Sequence, residues 1–412
     1  MYSFMEDRMK KSCVVCQSGG PTAVINSSLA GVVISALNSK FIDKVYGSLN
    51  GISGLINDKL IDMSLQDKMQ IQLLLSTPGA ALGSVRYNLS NDYTNLDYKN
   101  ILSTINKYNI GYVILIGGND SMDTTAKLAK FFKDNNINVN ILGVPKTVDN
   151  DLINIDHTPG YGSAIKYIAT TIAEIKIDTS VYEKGRVTVV EIMGRGAGWL
   201  TAGAKLAELT GYGPDLIYLP EVPFNLENAL MQIKELYEKN KKVLVVVSEG
   251  IKNEDGSYFF EKYRYKEDND VFGHMQLEGT AVVLADIVHS KLNIPVRNII
   301  LNLPQRCSSH LASKTDINEA FDCGVAAINL IENNTGKMVT MENVGKNGKY
   351  EIEYKLVDVA SVANFVKQFP KEWIINGNDI SNEFIKYSLP LIQGEIEMTY
   401  ENGLPVFAKL DK

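Results

Sequence analysis

Residues 112–121 read YVILIGGNDS, in which an apolar run ends in two glycines and polar residues follow them. A continuous run of branched apolar residues is typical of a parallel strand that is buried on both faces. The segments CVVCQSGGP at 13–21 and VTVVEIMGRG at 187–196 repeat this order of apolar run, glycine turn and helical stretch. The repetition predicts an α/β fold built from two doubly wound, Rossmann-like domains with parallel sheets.

The apolar runs also predict where the strands lie. The expected strands are Cys13–Cys16, Tyr112–Ile116, Val139–Val144, Arg186–Ile192, Val243–Val247 and Val296–Leu301. Helices are expected at about 22–37, at about 122–132, and from the turn after residue 196 through residue 207. Ligands of such sheets bind at the carboxyl ends of the strands. Most of the unusual polar motifs in this chain follow a strand directly, which predicts that they share one site.

Composition excludes several classes of protein. The chain has 412 residues, of which 45% are hydrophobic and 22% charged, enough for two or three domains with their own cores. A net charge of −7 argues against a nucleic-acid partner. No apolar stretch reaches the ~20 residues that span a bilayer, and the opening MYSFMEDRMKKS lacks the apolar core of a signal peptide. We therefore expect a cytoplasmic protein with no membrane partner.

The four cysteines fit a reducing compartment, because they form no framework of closely spaced pairs. Cys13 and Cys16 do make a C-x-x-C motif, but the motif lies inside an apolar run. A second pair would be needed to complete a zinc site. We interpret both cysteines as buried strand residues.

Two glycine turns at strand ends are candidate phosphate sites. The turns are Gly19-Gly20 and Gly117-Gly118. Backbone N–H groups at a helix N-terminus bind phosphate, and glycine permits its close approach. The first turn alone would equally suit a simple tight turn. In the second, Asp120 and Ser121 follow; a carboxylate there fits a bound anion if Mg²⁺ lies between them, and a helix cap is the alternative.

The segment PKTVDND at 145–151 is the most specific feature of the chain, because it sets a cation and two carboxylates within a few residues at a strand end. Asp149 and Asp151 are two residues apart, so in extended backbone they face the same side. Two adjacent carboxylates split their pKa values, and one becomes a better base. Such a carboxylate can remove a proton from a hydroxyl group. A solvated turn is the alternative interpretation.

Arginines are concentrated near the ends of the predicted strands. They are Arg186, Arg195, Arg297 and Arg306. Arginine presents a planar fork to phosphate oxygens, although any one of them would also suit an exposed surface. Arg86 follows a glycine-bearing loop, and Glu249, which follows a strand, is a candidate ligand of sugar hydroxyls or a solvated carboxylate. Together the residues predict Mg²⁺-assisted phosphoryl transfer between two anionic ligands.

This set of motifs resembles the phosphofructokinase family, in order from about Cys13 to Ala326. The motifs are Gly19-Gly20, GGNDS, PKTVDND, Met193-Gly194-Arg195 after VVEI, Ser248-Glu249-Gly250, and Gln305-Arg306 closely following Arg297. The resemblance implies a phosphoryl-donor domain of residues 1–160 plus about 305–335 and a fructose 6-phosphate domain of residues 161–304. It places the active site in the cleft between them, with residues 336–412 as a peripheral segment packed on both.

The resemblance also implies roles for single residues. Asp149 looks like the general base that takes the proton from the 1-hydroxyl of fructose 6-phosphate, with Lys146, Thr147 and Arg195 as the other catalytic residues. The implied donor-binding residues are Gly19, Gly20, Arg86, Gly118, Asp120, Ser121 and Lys146. The implied fructose 6-phosphate ligands are Thr147, Asp149, Asp151, Arg186, Met193, Gly194, Arg195, Glu249, Arg297, Leu303 and Arg306. Arg186 resembles an arginine that reaches a neighbouring subunit's site, which implies a homo-oligomer, either a dimer or a tetramer.

Two positions bear on the phosphoryl donor. ATP-using members of the family typically have glycine where this chain has Asp120, and a small residue where it has Lys146; both residues resemble the pyrophosphate-using members. Asp120 adds bulk and a like charge where a nucleotide's α-phosphate would lie, and Lys146 suits a small anion. We therefore expect reversible, Mg²⁺-dependent transfer from pyrophosphate to fructose 6-phosphate, giving fructose 1,6-bisphosphate in glycolysis and gluconeogenesis.

Two departures from the family's pattern leave alternatives open. Asn119 stands where the family has a metal-associated aspartate, so we expect Mg²⁺ to be held by Asn119 and Asp149 with more help from pyrophosphate. Leu303 stands where the family often has histidine or tyrosine. The alternatives are an ATP-dependent enzyme and a non-catalytic regulatory subunit; intact Asp149, Thr147 and Arg195 argue against the latter. A dinucleotide-dependent dehydrogenase is disfavoured, because the first turn lacks G-x-G-x-x-G.

Overall fold

The computed structural model describes residues 10–263 and 279–412. Its strands are β1 (Lys11–Gln17), β2 (Ile42–Ser48), β3 (Leu60–Asp62), β4 (Ile110–Gly117), β5 (Asn140–Pro145), β6 (Arg186–Ile192), β7 (Leu216–Tyr218), β8 (Lys242–Ser248), β9 (Val296–Ile300), β10 (Lys337–Asn343), β11 (Ile352–Asp358), β12 (Ile374–Ile375), β13 (Asp379–Ile380), β14 (Tyr400–Glu401) and β15 (Leu404–Pro405).

The helices alternate with the strands. They are α1 (Ile25–Leu37), α2 (Ile52–Ile56), α3 (Lys68–Leu73), α4 (Leu96–Lys107), α5 (Asn119–Asp134), α6 (Tyr161–Ser180), α7 (Trp199–Ala202), α8 (Leu226–Asn240), α9 (Thr280–Leu292), α10 (Pro304–Cys307), α11 (Lys314–Ile331) and α12 (Asn382–Ser388). None of these helices, in the ranges that the structure describes, is long and apolar enough to cross a membrane.

The larger sheet has the order β11-β10-β5-β4-β1-β2-β3, and its five inner strands run parallel. The outermost strands β3 and β11 pair antiparallel to their neighbours. Strands β1 and β4 are buried along nearly their whole length, because apolar cores cover both faces of the sheet. Cys13 and Cys16 lie buried in β1 as free thiols, which confirms their interpretation as strand residues.

The smaller sheet has the order β7-β8-β6-β9, and all of its pairs are parallel. Valines of β6 and β8 are fully buried between two further cores. The observed β6 has the predicted bounds, and the other predicted strands differ by no more than two residues at either end. The two parallel α/β sheets confirm the predicted fold class.

The C-terminal segment contributes to the larger sheet, which the sequence analysis did not predict. β10 pairs parallel with β5, with Lys337 opposite Leu142, and β11 extends the sheet by an antiparallel hairpin. Met338, Val339 and Met341 are buried there. A parallel β5 without a partner would leave a row of unpaired backbone groups at the sheet edge. The expectation that residues 336–412 are only peripheral is therefore wrong for β10 and β11.

Helix boundaries also differ from the prediction at three places. α1 begins at Ile25 and α5 already at Asn119. The helix expected through residue 207 is a single turn, α7, followed by a 3-10 helix over Gly203–Thr210. Gly203 lies against Ile165 with no room for a side chain, since a Cβ on Gly203 would be 2.7 Å from Ile165 Cγ2. Close packing on α6 thus sets the path of this segment.

Helices α1 and α11 pack with their backbones in contact. A Cβ on Gly31 would lie 2.1 Å from the carbonyl oxygen of Phe321, and one on Gly324 would lie 2.3 Å from that of Ser28. Real Cβ contacts are never this short, so both positions require glycine. The contact fastens α11 to the first helix of the chain, although the two are nearly 300 residues apart in sequence.

Candidate active site

A cleft of about 460 Å³ lies where the carboxyl ends of strands from both sheets meet. The turns after β1, β4, β5, β6 and β8 all contribute to it, as expected for ligand sites of parallel sheets. Most of the residues that the sequence singled out line this cleft. They are Gly19, Gly20, Arg86, Gly118, Asn119, Asp120, Ser121, Lys146, Thr147, Asp149, Asp151, Met193, Gly194, Arg195, Glu249 and Arg306.

Lys146 joins the first glycine turn to the segment after β5. Its side chain is almost fully buried, and Nζ donates a hydrogen bond of 2.6 Å to the carbonyl oxygen of Gly20. Gly19 has φ of +78°, and a Cβ there would lie 3.2 Å from this Nζ. Burial lowers the pKa of Lys146 to about 8, against the opposing effect of the Asp149 carboxylate. The ammonium group of Lys146 therefore lies directly against the Gly19-Gly20 turn.

The second glycine turn leads directly into α5. Gly118 is the N-cap and offers no side chain to the first-turn N–H groups, which leaves this helix end suited to an anion. Asp120 is exposed to the cleft in the first turn. The Oγ atom of Ser121 is buried and has no hydrogen-bond partner within the described ranges. A carboxylate and an unpartnered hydroxyl thus lie beside a helix N-terminus.

The side-chain amide of Asn119 is bonded to the C-terminal segment. Its Oδ1 accepts a hydrogen bond of 3.0 Å from the backbone N–H of Asn364, and its Nδ2 donates one of 2.7 Å to the carbonyl oxygen of Phe365. These two bonds fix the orientation of the amide. The expected role of Asn119 as a metal ligand therefore competes with a structural role that the sequence did not indicate.

Asp149 lies at the centre of the cleft, partly exposed to it. Thr147 Oγ1 accepts a hydrogen bond of 3.1 Å from the Asp149 N–H and lies 3.5 Å from Asp149 Oδ2. Burial raises the pKa of the Asp149 carboxyl, while the cations of Lys146 and Arg195 oppose that rise. Burial, and then the Asp149 carboxylate, raise the pKa of Asp151 to about 7. Asp149 therefore lies close enough to Asp151 for its charge to raise the pKa of that carboxyl.

Asn150 explains how both carboxylates reach the cleft, because the segment is a turn and not the extended strand we assumed. Asn150 has φ of +51°, a conformation that asparagine tolerates better than most residues. Its Nδ2 donates to the hydroxyl of Tyr387 at 2.9 Å, and its Oδ1 accepts from the N–H of Thr158 at 3.0 Å. A buried asparagine therefore holds the turn between the two aspartates.

The wall from the smaller sheet is built around Gly194. Its N–H donates to Glu249 Oε1 at 3.1 Å, and its carbonyl accepts from Ser248 Oγ at 2.6 Å. Burial raises the pKa of Glu249 to about 7, which the Gly194 N–H opposes. Arg195 is exposed to the cleft and close enough to Asp149 to lower that residue's pKa. A carboxylate and a guanidinium thus face the aspartates from the other sheet.

Arg306 lies at the first glycine turn. A Cβ on Gly20 would be 3.2 Å from Arg306 Nη1. Burial lowers the pKa of Arg306, and the nearby Arg86 guanidinium lowers it further. With Lys146, these two arginines surround the first glycine turn with positive charge. Arg306, which was expected to bind the sugar phosphate, therefore lies at the turn that was expected to bind the phosphoryl donor.

Three predicted fructose 6-phosphate ligands do not line the cleft of this chain. Arg186 begins β6, and Arg297 pairs with Thr188 on the neighbouring strand, so both lie toward the amino ends of parallel strands, away from the cleft. Side chains alternate along a strand, which puts the two arginines on one face of the sheet. Leu303 is about half exposed and outside the cleft. The sequence showed that Arg186 and Arg297 lie near strand ends, but the cleft is at the carboxyl ends and these two residues are at the amino ends.

One residue that lines the cleft belongs to a segment for which the sequence predicted no function. Val366 lines the cleft, although it lies in the C-terminal segment, to which no chemistry was assigned. Residue 366 belongs to no motif, and neighbouring residues 364–369 form no regular helix or strand. A single sequence therefore offers no signal for it.

Comparisons with known proteins agree on one family. The family model described as Phosphofructokinase matches residues 12–331. The pyrophosphate–fructose 6-phosphate 1-phosphotransferase of Halomonas elongata is 36% identical over 403 residues, covering 96% of this chain and 95% of the relative. The enzyme of the same name from Xanthomonas campestris is 35% identical, covering 96% of this chain and 94% of the relative.

A solved structure is similar over nearly the whole chain. The crystal structure of the pyrophosphate-dependent phosphofructokinase from Marinobacter aquaeolei superposes with a TM-score of 0.87 at 34% identity. It covers 97% of this chain and 96% of that one. The likeness includes the C-terminal region as well as both sheets.

Proposed function

This chain belongs to the phosphofructokinase family, and from that premise we propose that it transfers a phosphoryl group from inorganic pyrophosphate to the 1-hydroxyl of fructose 6-phosphate. The products are fructose 1,6-bisphosphate and phosphate, and the reaction is reversible. The names of the Halomonas and Xanthomonas relatives and of the Marinobacter structure support this activity. The observation that carries it is the pairing of Asp120 and buried Lys146 in one cleft.

Asp120 and Lys146 favour pyrophosphate for separate reasons. Asp120 is exposed to the cleft in the first turn of α5, where its charge and bulk repel the extra phosphate of a nucleotide. Lys146 is a compact point charge, suited to neutralising a small leaving phosphate. Arg86 and Arg306 add positive charge around the same turn. A pyrophosphate bound between the two glycine turns would have hydrogen-bond donors on both sides.

Asp149 is the general base in this proposal. It takes the proton of the sugar 1-hydroxyl as that oxygen attacks phosphorus. Burial raises the pKa of Asp149 and so makes it a stronger base than an exposed aspartate, while the cations of Lys146 and Arg195 oppose that rise and favour its ionised form. Arg195 also faces the position where negative charge develops on the transferred phosphoryl group. Thr147, Asp151, Met193, Gly194 and Glu249 orient the sugar.

The donor set fits a Mg²⁺ ion that is held partly by substrate. Within the described residues, no group of three or more carboxylate, histidine or cysteine side chains is placed to hold a metal. Mg²⁺ commonly uses one or two carboxylates, waters and substrate phosphates, which Asp149 and Asp151 can supply together with pyrophosphate. When bound, the ion would neutralise charge on the transferred phosphoryl group. Asn119 contributes less, because its amide is already bonded to residues 364 and 365.

Arg186 and Arg297 support a homo-oligomeric enzyme. Both lie on one face of the smaller sheet, away from the chain's own cleft, and Arg297 makes a long contact of 3.9 Å to Asp178. In a dimer or tetramer they would supply guanidinium groups for the 6-phosphate in a neighbouring subunit's site. We also propose a cytoplasmic location, which four free cysteines support.

A coupled assay tests the proposed function. Purified protein is given fructose 6-phosphate and Mg²⁺ with either pyrophosphate or ATP, and formation of the bisphosphate is followed. We expect turnover with pyrophosphate only. Turnover with ATP only would keep the family and refute the donor assignment, and a lack of turnover with both donors would refute the catalytic assignment.

A further inference from the structure

Residues 364–369, which we call the strap, run beside the cleft from the larger sheet's half of the molecule to the smaller sheet's half. At its start, the strap is bonded to Asn119 at the N-terminus of α5. In its middle, the N–H of Lys367 donates to the carbonyl oxygen of Asp151 at 2.7 Å. Between these two attachments Val366 lines the cleft. The strap therefore touches both the donor turn and the aspartate turn.

The far end of the strap is attached to the smaller sheet's half of the molecule. The carbonyl of Lys367 accepts a hydrogen bond of 2.9 Å from Trp199 Nε1, and the N–H of Phe369 donates to Glu221 Oε1 at 3.1 Å. The ring of Phe369 is buried edge-on against Trp199. This end is held by a buried apolar cluster, whereas the first end is exposed and is held by the two Asn119 bonds and by a longer bond of 3.5 Å from Asn364 Nδ2 to Asp123 Oδ1.

Only a carboxamide of this length can make both bonds at position 119. The bond to Asn364 needs an acceptor, and the bond to the carbonyl of Phe365 needs a donor. An ionised aspartate has no donor and would bring its charge against that carbonyl oxygen. The asparagine that departs from the family's usual aspartate is thus explained by the strap.

We propose that Asn119 is a positioning residue: it anchors the strap so that Val366 closes the cleft beside bound pyrophosphate and keeps water from the transferred phosphoryl group. This inference rests on the proposed function. If the strap opened, water could replace the sugar hydroxyl as the attacking oxygen. The bond from phosphorus to the bridging oxygen would break, the water oxygen would bond to phosphorus, and two phosphates would result.

The first experiment measures amide hydrogen exchange of the ligand-free protein by mass spectrometry. Asn119→Ala removes both anchoring bonds, and Asn119→Asp removes the donor. We expect peptides covering 362–368 to exchange about three- to tenfold faster in Asn119→Ala, which loses two exposed hydrogen bonds, and faster by a smaller factor in Asn119→Asp, which keeps an acceptor for the Asn364 N–H. Asn240→Ala, an exposed position at the end of α8, is the matched control and should exchange as wild type. Unchanged exchange in both Asn119 variants would overturn the anchor.

The second experiment compares transfer with hydrolysis. In Asn119→Ala, we expect the KM for pyrophosphate to rise about three- to tenfold, and hydrolysis without sugar to rise relative to transfer. The concentration of Mg²⁺ for half-maximal rate should change less than about twofold, whereas loss of a metal ligand would raise it about tenfold or more. Val366→Ala shortens the side chain that lines the cleft without the added backbone freedom of glycine, leaves the Asn119 bonds intact, and should raise hydrolysis without the faster exchange seen in Asn119→Ala.

The outcomes separate this proposal from the proposed function. Faster exchange with unaltered KM and hydrolysis would refute closure of the cleft by the strap. A strong rise in the Mg²⁺ requirement would return Asn119 to the metal. A wild-type protein that failed to use pyrophosphate would count against the proposed function, while exchange in the ligand-free strap would still report on the Asn119 anchor.

Discussion

The ammonium nitrogen of Lys146 lies 2.6 Å from the carbonyl oxygen of Gly20, so the loop after β5 and the turn after β1 share one hydrogen bond across 126 residues of sequence. The same lysine carries the positive charge that the donor turn needs. The position of the first glycine turn and the charge presented to the donor therefore depend on one side chain, and substitutions at Lys146 should affect both.

Replacing the two donor-determining residues should change the choice of donor. In Asp120→Gly with Lys146→Gly, we expect kcat/KM for pyrophosphate to fall by ~10²-fold or more, because a charge-assisted contact to the leaving phosphate is lost. Use of ATP should rise from its wild-type level, since the α-phosphate gains room. Steady-state kinetics with each donor checks this, with Asp120→Gly alone separating the steric effect. Unchanged pyrophosphate kinetics would refute the donor argument.

Removing the general base should lower kcat strongly and weaken the binding of fructose 6-phosphate only slightly. Asp149→Asn keeps the shape of the side chain but cannot accept the sugar proton, so kcat should fall by ~10²–10⁴-fold. The KM for fructose 6-phosphate should change little. Single-substrate titrations of the variant, with circular dichroism to check folding, make the measurement. A variant with wild-type turnover would exclude Asp149 as the base.

The ionisable groups of the cleft predict a bell-shaped pH profile. The pKa values of Asp151 and Glu249 are raised to about 7, so both become protonated below that pH. The pKa of Lys146 is lowered to about 8, so its charge is lost above that pH. We expect kcat/KM, which reports the free enzyme, to be highest between about pH 7 and pH 8. A profile that is flat from pH 5.5 to 9.5 would contradict it.

A Lys146→Arg variant tests the alkaline side of that profile. Arginine keeps its charge at every accessible pH. The variant should therefore lose activity overall, because the longer fork does not fit the Gly20 carbonyl, yet its alkaline decline should disappear. An alkaline limb that stayed at the same pH would assign the decline to another group.

Hybrid oligomers test whether Arg186 acts in a neighbouring site. Arg186→Ala and Asp149→Asn should each be nearly inactive alone. Co-expressed in equal amounts in a dimer, they should form sites that combine an intact Asp149 with a partner's intact Arg186, and about a quarter of the wild-type activity should return. If Arg186 served its own chain, mixing would restore nothing.

A buried histidine should make stability depend on pH. His157 is fully buried between Asp156 and Glu319, with ring-nitrogen to oxygen distances of 2.8 Å and 2.7 Å. Burial disfavours its charge, but the Glu319 and Asp156 carboxylates outweigh that effect and raise the pKa of His157 to about 9. The ion pairs should contribute about 3 kcal/mol, fully present below the unfolded pKa of about 6.5 and lost as pH rises through about 9.

Urea unfolding at pH 6.5, 7.5 and 9 measures that contribution. The free energy of unfolding of the wild type should fall across this interval. His157→Gln has a polar amide in place of the imidazole and no titratable charge, so it should be less stable at pH 6.5 and lose much less stability between pH 6.5 and pH 9. Equal slopes in the two proteins would assign the pH dependence to other groups.

The sequence predicted the parts of this molecule that a local pattern determines. β6 contains three valines and an isoleucine and is buried on both faces, and such a β-branched segment is recognised as a strand without knowledge of its neighbours. The turns after β1, β4 and β5 were recognised because glycine, lysine and aspartate follow strands there. Their convergence in one cleft follows from parallel strands sharing an edge.

What the sequence did not predict depends on long-range contacts. β10 becomes a strand because it pairs with β5, and Val366 reaches the cleft because Asn119 and Trp199 hold the strap on either side. Arg297 lies away from the cleft because β9 pairs parallel with β6, which puts Arg297 near the amino ends of the two strands. Each of these is decided by a partner more than 100 residues away, about which a local pattern contains no information.

The contact between Gly31 and Phe321 has a consequence for biosynthesis. The ribosome releases α1, β1, β4 and β5 long before α11 and β10, which later cover one face of α1 and the edge of β5. Until those elements have been synthesised, the nascent chain therefore exposes an apolar helix face and an unpaired parallel strand. Such surfaces bind chaperones or other nascent chains, so synthesis from the amino end leaves the larger sheet unfinished until residues 314–343 have left the ribosome.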